Sequence, residues 1–183
     1  MTNPDRFRVS HRERILDLGF LDITRRTIES PDGVTFDRIV IEHPGAVAVV
    51  PLAGEDVVLL SQYRAACSDT ILEIPAGKLD DPSEDVQDAA RRELVEETGY
   101  RAGALHHLTD LWTSVGFCDE RISIFVARDV EPGVRNPIGP EERAAEVVRM
   151  PLDQAIDLVA SGIIADAKTA VGLLLAARNR VPS

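Results

Sequence analysis

Two glutamates four residues apart, Glu93 and Glu97, lie in the run RRELVEETG, with Glu96 between them and Arg91 and Arg92 just ahead. At about 100° per residue, a helix through this run gathers Val86, Ala90 and Leu94 within about 80°, with Ala89 at the edge of that arc. This is the face that should meet a core. Glu93 and Glu97 fall in the same arc, within about 20° of Val86, and Glu96 at its margin. Like charges at this spacing disfavour a helix, and carboxylates turned toward protein need a partner. One solution is a rotated helix, or a salt bridge to Arg91 or Arg92 at a cleft edge. Another is a hard divalent cation, Mg²⁺ or Mn²⁺, which takes clustered oxygen ligands and keeps waters for a substrate phosphate. Spacing alone favours neither. Asp85 and Asp88 point elsewhere and read as surface acids near a helix start.

The elements around this run must position it. The helix itself fits Pro82 to Thr98, with Ser83 as N-cap and Gly99 as the residue that ends it. Upstream, DITRRTIES and VTFDRIVIEHP flank a PDG turn and read as a hairpin. AVAVVPL and DVVLLSQYR are strands around AGE, and ILEIPAG is a strand running into a loop. Downstream, LHHLTDLWTS and RISIFVARDV are strands around a loop containing Gly116, with Trp112 read as core. His106 and His107 are adjacent in a strand and point oppositely, with no reason to assign either a catalytic role. NPIGPEERAA is loop-like, EVVRMPL is a last strand, and PLDQAIDLVASG and ADAKTAVGLLLAARNRV are helices. The order predicts one α+β domain with mixed sheets rather than a regular βαβ series.

Composition bounds the partners. The 183 residues suffice for a compact domain with its own core; 44% are hydrophobic but only 4% aromatic, so Val, Leu, Ile and Ala must fill it. A net charge of −11 repels nucleic acid. It would repel an anionic small substrate too, unless a cation or local arginines reverse the sign. No apolar run is long enough to span a membrane, and the N-terminus has no secretory h-region. Cys67 and Cys118 are too few for a disulfide framework or a zinc site and read as free thiols in a reducing cytoplasm.

The segment Gly77–Tyr100 resembles the Nudix box, whose form is Gly, five residues, Glu, seven residues, Arg-Glu, an aliphatic, any residue, Glu-Glu, any residue, Gly. From Glu84 onward the pattern is matched in full by Arg92, Glu93, Leu94, Glu96, Glu97 and Gly99. Its first part departs, because six residues separate Gly77 from Glu84. GAVAVVPL, QYR, EIPAGKLD and GF-DE look like the ADP-ribose pyrophosphatase branch, over about Arg14 to Ala177. The resemblance implies a Nudix α/β/α sandwich with a mixed β-sheet and an N-terminal antiparallel β arm. Residues 1–43 would be the arm and residues 44–183 the hydrolase domain. The arm would be exchanged in a cytoplasmic homodimer, completing the partner's pocket. The implied substrate is ADP-ribose, cleaved to AMP and ribose 5-phosphate, with another nucleotide sugar as the alternative and a non-hydrolysing nucleotide sensor as a weaker one.

The same resemblance implies roles. Glu93 and Glu97 would be core metal ligands, joined by Glu96 and the carbonyl of Ala76, with Mg²⁺ or Mn²⁺ bound. Arg92 would orient a carboxylate and pair with Glu84. Glu141 or, preferably, Glu142, late in the loop after the box, would be a metal ligand or the general base. Arg64 would meet the diphosphate, Arg38 would serve from the arm, and Phe117 and Glu120 would contact substrate. Phe20 and Phe36 are further aromatics available to stack on adenine. Val115 stands where this branch commonly has proline, which bears on substrate choice more than on reaction type.

Overall fold

A computed structural model describes residues 6–79, 81 and 83–179. In chain order the strands are β1 (Arg8–Asp17), β2 (Asp22–Glu29), β3 (Thr35–Glu42), β4 (Ala46–Ala53), β5 (Asp56–Arg64), β6 (Asp69–Glu73) and β7 (Ala76–Lys78). Helix α1 (Val86–Thr98) follows, then β8 (Tyr100–Arg101), β9 (Ala104–Trp112), β10 (Arg121–Arg128), β11 (Glu131–Pro132), α2 (Pro140–Ala144), β12 (Glu146–Pro151), α3 (Leu152–Ala160) and α4 (Ala167–Arg178). Two compact units emerge. One holds the chain up to Gly45 together with Trp112–Arg121, and the other holds Ala46–Leu111 and the chain from Ile122 onward.

The larger unit is built on a seven-stranded sheet with the path β12-β5-β4-β10-β9, β6 beside β5 and β7 beside β4. The pair β4–β10 is parallel while β4–β5, β5–β6 and β5–β12 are antiparallel, so the sheet is mixed. Successive side chains of a strand face opposite ways. Along β4, Ala46, Ala48, Val50 and Leu52 enter one core with Leu152, Ala155, Leu173 and Ala176 of α3 and α4. Val47 and Val49 enter a second core with Ala89, Ala90 and Leu94 of α1. Both faces are therefore covered by helices, giving an α/β/α sandwich. That is why AVAVVPLA is continuously apolar rather than alternating.

Several local expectations needed correction. The acidic helix starts at Val86, and Asp85 is its cap, accepting from Gln87 N at 2.8 Å. Ser83 instead donates its hydroxyl to Asp81 at 2.7 Å, which removes it from capping. The expected first residue, Pro82, lies outside the described residues. The end is as expected: Gly99 has φ of 78° and its N–H reaches the Val95 carbonyl. ILEIPAG does not end in a loop. Ala76–Lys78 forms β7, because Ala46, Val47 and Ala48 offer it antiparallel partners. The expected loop NPIGPEERAA contains α2, whose first residue Pro140 suits the start of a helix. Trp112 is 58% exposed, so it is not core.

The smaller unit is the antiparallel sheet β1-β2-β3. The β2–β3 hairpin is as read from the sequence, with Asp22 opposite Glu42 and Glu29 opposite Thr35. Strand β1 is exposed along its whole length and carries no buried periodicity to announce it. It is held by backbone pairing and by cross-strand ion pairs such as Arg14–Asp22 at 2.7 Å and Arg25–Glu13 at 3.0 Å.

Candidate active site

The acidic face of α1 lies over β7. Pairing of β7 with β4 sets Ala76 opposite Ala48 and Gly77 opposite Val47, and Val49 N also binds the Pro75 carbonyl at 3.0 Å. Against this fixed backbone the helix buries Glu93 and Glu97 along with Ala89, Ala90 and Leu94. The helical wheel is thus followed for the acids, though Val86 is only half-buried and Thr98 joins the buried set.

Each carboxylate has a different environment. Glu97 is only 4% exposed and accepts one bond from the Ala76 N–H at 2.9 Å. Burial pushes its carboxyl up to about 8, opposed by that N–H and by Arg64, and reinforced by the charges of Glu93 and Glu142. Glu93 is also raised, by burial first, with Arg92 opposing and Glu96 and Glu142 adding to the rise. Its carboxylate fills the space beside Gly77, where a methyl would lie 1.9 Å from Glu93 Cδ. Gly77 is therefore a glycine because the glutamate occupies the room of a side chain.

Arg92 binds three carboxylates at once. Its Nε and Nη2 hold Glu84 at 3.0 and 3.1 Å in a forked pair, and Nη1 reaches Glu93 at 2.6 Å and Glu96 at 3.1 Å. The Arg92–Glu84 pairing expected from sequence is present. Arg91 points away and donates to the Ala102 carbonyl. One guanidinium shared by three carboxylates, with Glu97 outside its reach in these bonds, leaves the cluster short of positive charge.

A second charged group adjoins it. Arg64, at the end of β5, forks onto Glu73 through Nε at 2.5 Å and Nη2 at 3.0 Å. Glu73 is 1% exposed and also receives Lys168 Nζ at 2.5 Å. Lys168 in turn meets Asp166, which caps α4 through Thr169. The charges of both Glu97 and Asp166 act on Arg64. Sequence inspection passed over Glu73, Asp166 and Lys168. The only signal was an acid alone in the apolar stretch ILEIPA, which a buried chain tolerates only when paired.

Glu142 belongs to the same unit and its charge acts on both Glu93 and Glu97. Its Oε2 accepts from Ile138 N at 2.7 Å and Gly139 N at 3.3 Å. Glu141 is exposed. The remaining expected residues, Arg38, Phe117 and Glu120, lie in the smaller unit. Arg38 stacks over Phe36 at 4.5 Å. Phe117 is 57% exposed, and its carbonyl ties the loop to Ile41 N at 2.7 Å. Glu120 accepts from Thr113 Oγ1 at 2.6 Å. Asp119, next to Glu120, anchors this loop by accepting from Arg26 at 2.7 Å and His43 N at 2.9 Å.

The donor set fits a hard divalent cation. It offers carboxylate oxygens that burial makes costly to ionise and whose cationic neighbours are few. Among the described residues no three His, Cys, Asp or Glu side chains already converge into a metal cage. An ion that retains several waters does not need one. No helix among the described residues is long and apolar enough to cross a membrane.

Comparison with known proteins places these features in context. The NUDIX domain family model matches residues 42–170. An ADP-ribose pyrophosphatase of Bacillus subtilis (strain 168) is 37% identical over 163 residues, 88% of each chain. A GDP-mannose pyrophosphatase of Cronobacter sakazakii is 35% identical over 157 residues, 81% of this chain and 80% of that one. A solved crystal structure of an ADP compounds hydrolase superposes with a TM-score of 0.82 at 25% identity, covering 99% of this chain and 100% of its own.

Proposed function

The chain belongs to the NUDIX domain family, and from that premise we propose that it hydrolyses the diphosphate of ADP-ribose to AMP and ribose 5-phosphate with Mg²⁺ or Mn²⁺ bound. The observation that carries this is the buried Glu93–Glu97 pair set against Ala76 and Gly77, with Glu142 and Arg64 within electrostatic reach. The B. subtilis relative, named for that activity, supports the substrate.

In this reading Glu93, Glu96, Glu97 and the Ala76 carbonyl hold the cation, and Arg92 keeps Glu93 and Glu96 in place. When bound, the cation supplies charge neutralisation to the diphosphate and acidity to a water. Glu142 accepts a proton from the attacking water at Oε1, because Oε2 is engaged by two backbone N–H groups. The water oxygen bonds to one phosphorus, and the bond from that phosphorus to the bridging oxygen breaks. Arg64, fixed by Glu73, orients the diphosphate. A panel of ADP-ribose, GDP-mannose, UDP-glucose, NADH and diadenosine polyphosphates with each metal should give ADP-ribose the highest kcat/KM. Failure to cleave any of them would remove the enzyme assignment.

A second substrate reading has its own support. Val115, where the branch commonly has proline, is 77% exposed, and a relative is named for GDP-mannose. A higher kcat/KM for GDP-mannose in the same panel would favour it.

A homodimer exchanging N-terminal arms belongs to the same proposal. Phe7, Val9, Ile15, Leu16, Phe20 and Ile39 leave apolar surface on the small sheet exposed. Sedimentation should show a dimer for the intact chain and a monomer for one lacking residues 1–43. A monomeric intact chain at assay concentration would refute the exchange.

A further inference from the structure

Glu142 sits in a helix too short to hold its own place. Five residues make up α2, well below the length at which a helix stands unaided. Both of its ends are nevertheless fixed. At the first, Glu142 Oε2 takes the Ile138 and Gly139 N–H groups. At the second, Arg135 spreads its fork over two carbonyls, Nη1 donating to Ala145 at 2.8 Å and Nη2 to Glu142 itself at 2.7 Å. The last carbonyls of a helix lack the partners of its interior; here Arg135, from the segment just before α2, supplies one to Ala145 and adds a second to Glu142, whose carbonyl also takes the Ala145 N–H at 3.1 Å.

Arg135 is in turn fastened to the end of α1. Asn136 N donates to the Glu96 carbonyl at 3.1 Å. Strands β8 and β11 pair Tyr100 with Pro132 and Arg101 with Glu131. The two backbones touch: a methyl on Gly99 would lie 2.9 Å from Arg135 N, and one on Gly133 would lie 2.8 Å from the Gly99 carbonyl. The segment following β11 is thus welded to the turn that ends the Glu93–Glu97 helix. Arg135 Nε is buried with no hydrogen-bond partner among the described residues. A buried donor left without a partner is a cost to the fold.

We propose that Arg135 is a positioning residue, which transmits the location of α1 to α2 and so sets the Glu142 carboxylate relative to Glu93 and Glu97. It acts through the backbone of Glu142 and does not touch substrate. This rests on the reading of Glu142 as the proton acceptor. An arginine suits the task because its planar fork fixes two carbonyls in one geometry, whereas an ammonium is a point charge.

The test is a kinetic cycle in the full chain with Mg²⁺, on ADP-ribose or on GDP-mannose if that is the one turned over. The variants are Arg135→Met, Arg135→Lys, Glu142→Gln and the double Arg135→Met/Glu142→Gln, each with its melting temperature. Arg135→Met should lower kcat by about 10–100-fold with KM little changed, because only the reacting geometry is lost. The double variant should fall no further than Glu142→Gln alone, since both remove one function. Arg135→Lys, which keeps the charge and part of the bonding, should show the same kcat-only defect in smaller degree.

Wild-type kcat in Arg135→Met, or a melting-temperature loss alone, would overturn the proposal, as would full recovery in Arg135→Lys, which would mean charge rather than the fork. Losses that multiply in the double variant would also overturn it. If Glu142→Gln itself turns over at the wild-type rate, the role of Glu142 falls and this inference with it. If the wild-type chain cleaves neither substrate, the proposed activity fails first.

Discussion

Glu97→Gln should lower kcat/KM by about 10²–10⁴-fold, the several kcal/mol that a metal-held transition state is worth, while making the metal-free chain more stable at pH 8. The two halves share one cause. Glu97 is buried with one N–H bond, and its carboxyl is raised from 4.5 to about 8. The folded chain therefore holds a proton that the unfolded chain has released between those two values. Folded protein binds more protons in that window, so stability falls as pH rises through it. Below about 4.5 both states are protonated and the penalty is absent; above about 8 it is complete. Glutamine keeps the shape, accepts the same Ala76 N–H and never ionises. In chelator, the wild-type melting temperature should drop from pH 5 to pH 8 more steeply than that of Glu97→Gln. Added Mg²⁺ should recover the wild type and not the variant, with release of a proton. Parallel melting curves in chelator would sink the burial argument. Near-normal turnover would sink the assignment of Glu97 to the cation.

Gly77→Ala should abolish activity nearly as well with little loss of fold. The added methyl would stand 1.9 Å from Glu93 Cδ and 2.2 Å from both its oxygens. No structure accommodates that contact, so something must move. What moves most easily is the end of a flexible side chain, the Glu93 carboxylate. The stability cost should sit at the low end of the roughly 1–3 kcal/mol typical of overpacking. The catalytic cost should not be small, because a ligand displaced by about 1 Å costs on the order of 10²-fold in rate. Turnover and thermal melts of Gly77→Ala alongside wild type decide this. An active Gly77→Ala would mean that Glu93 works from a position other than the one it holds here.

These two residues also show how far the primary structure reaches. The 3.6-residue period turned Glu93 and Glu97 onto the buried face of α1, and both are buried there. The strongly apolar β4 and β10 were visible as strands because burial on two faces demands continuous Val, Ile and Ala. Strand β1 was not visible, since every residue in it is exposed and no buried alternation marks it. Nor was α2, a single turn in NPIGPEERAA held from outside by Arg135. Trp112 was read as core, but it lies at the end of β9 and is 58% exposed.

Local pattern by itself therefore determined the α1 face, the box from Glu84 to Gly99, the two sheet-core strands and the family these belong to. Each depends on residues close in sequence, where period and spacing are physical constraints. Tertiary structure alone decided that Gly77 cradles Glu93, that Arg64 and Lys168 both lock onto Glu73, and that Arg135 clamps α2. Those contacts join residues from 7 to 95 positions apart where hydrogen-bonded side chains are concerned. No repeat along the chain encodes such distances. They exist only once the sheet brings its edges and helices together, and the price of burying their charges requires that each find its partner.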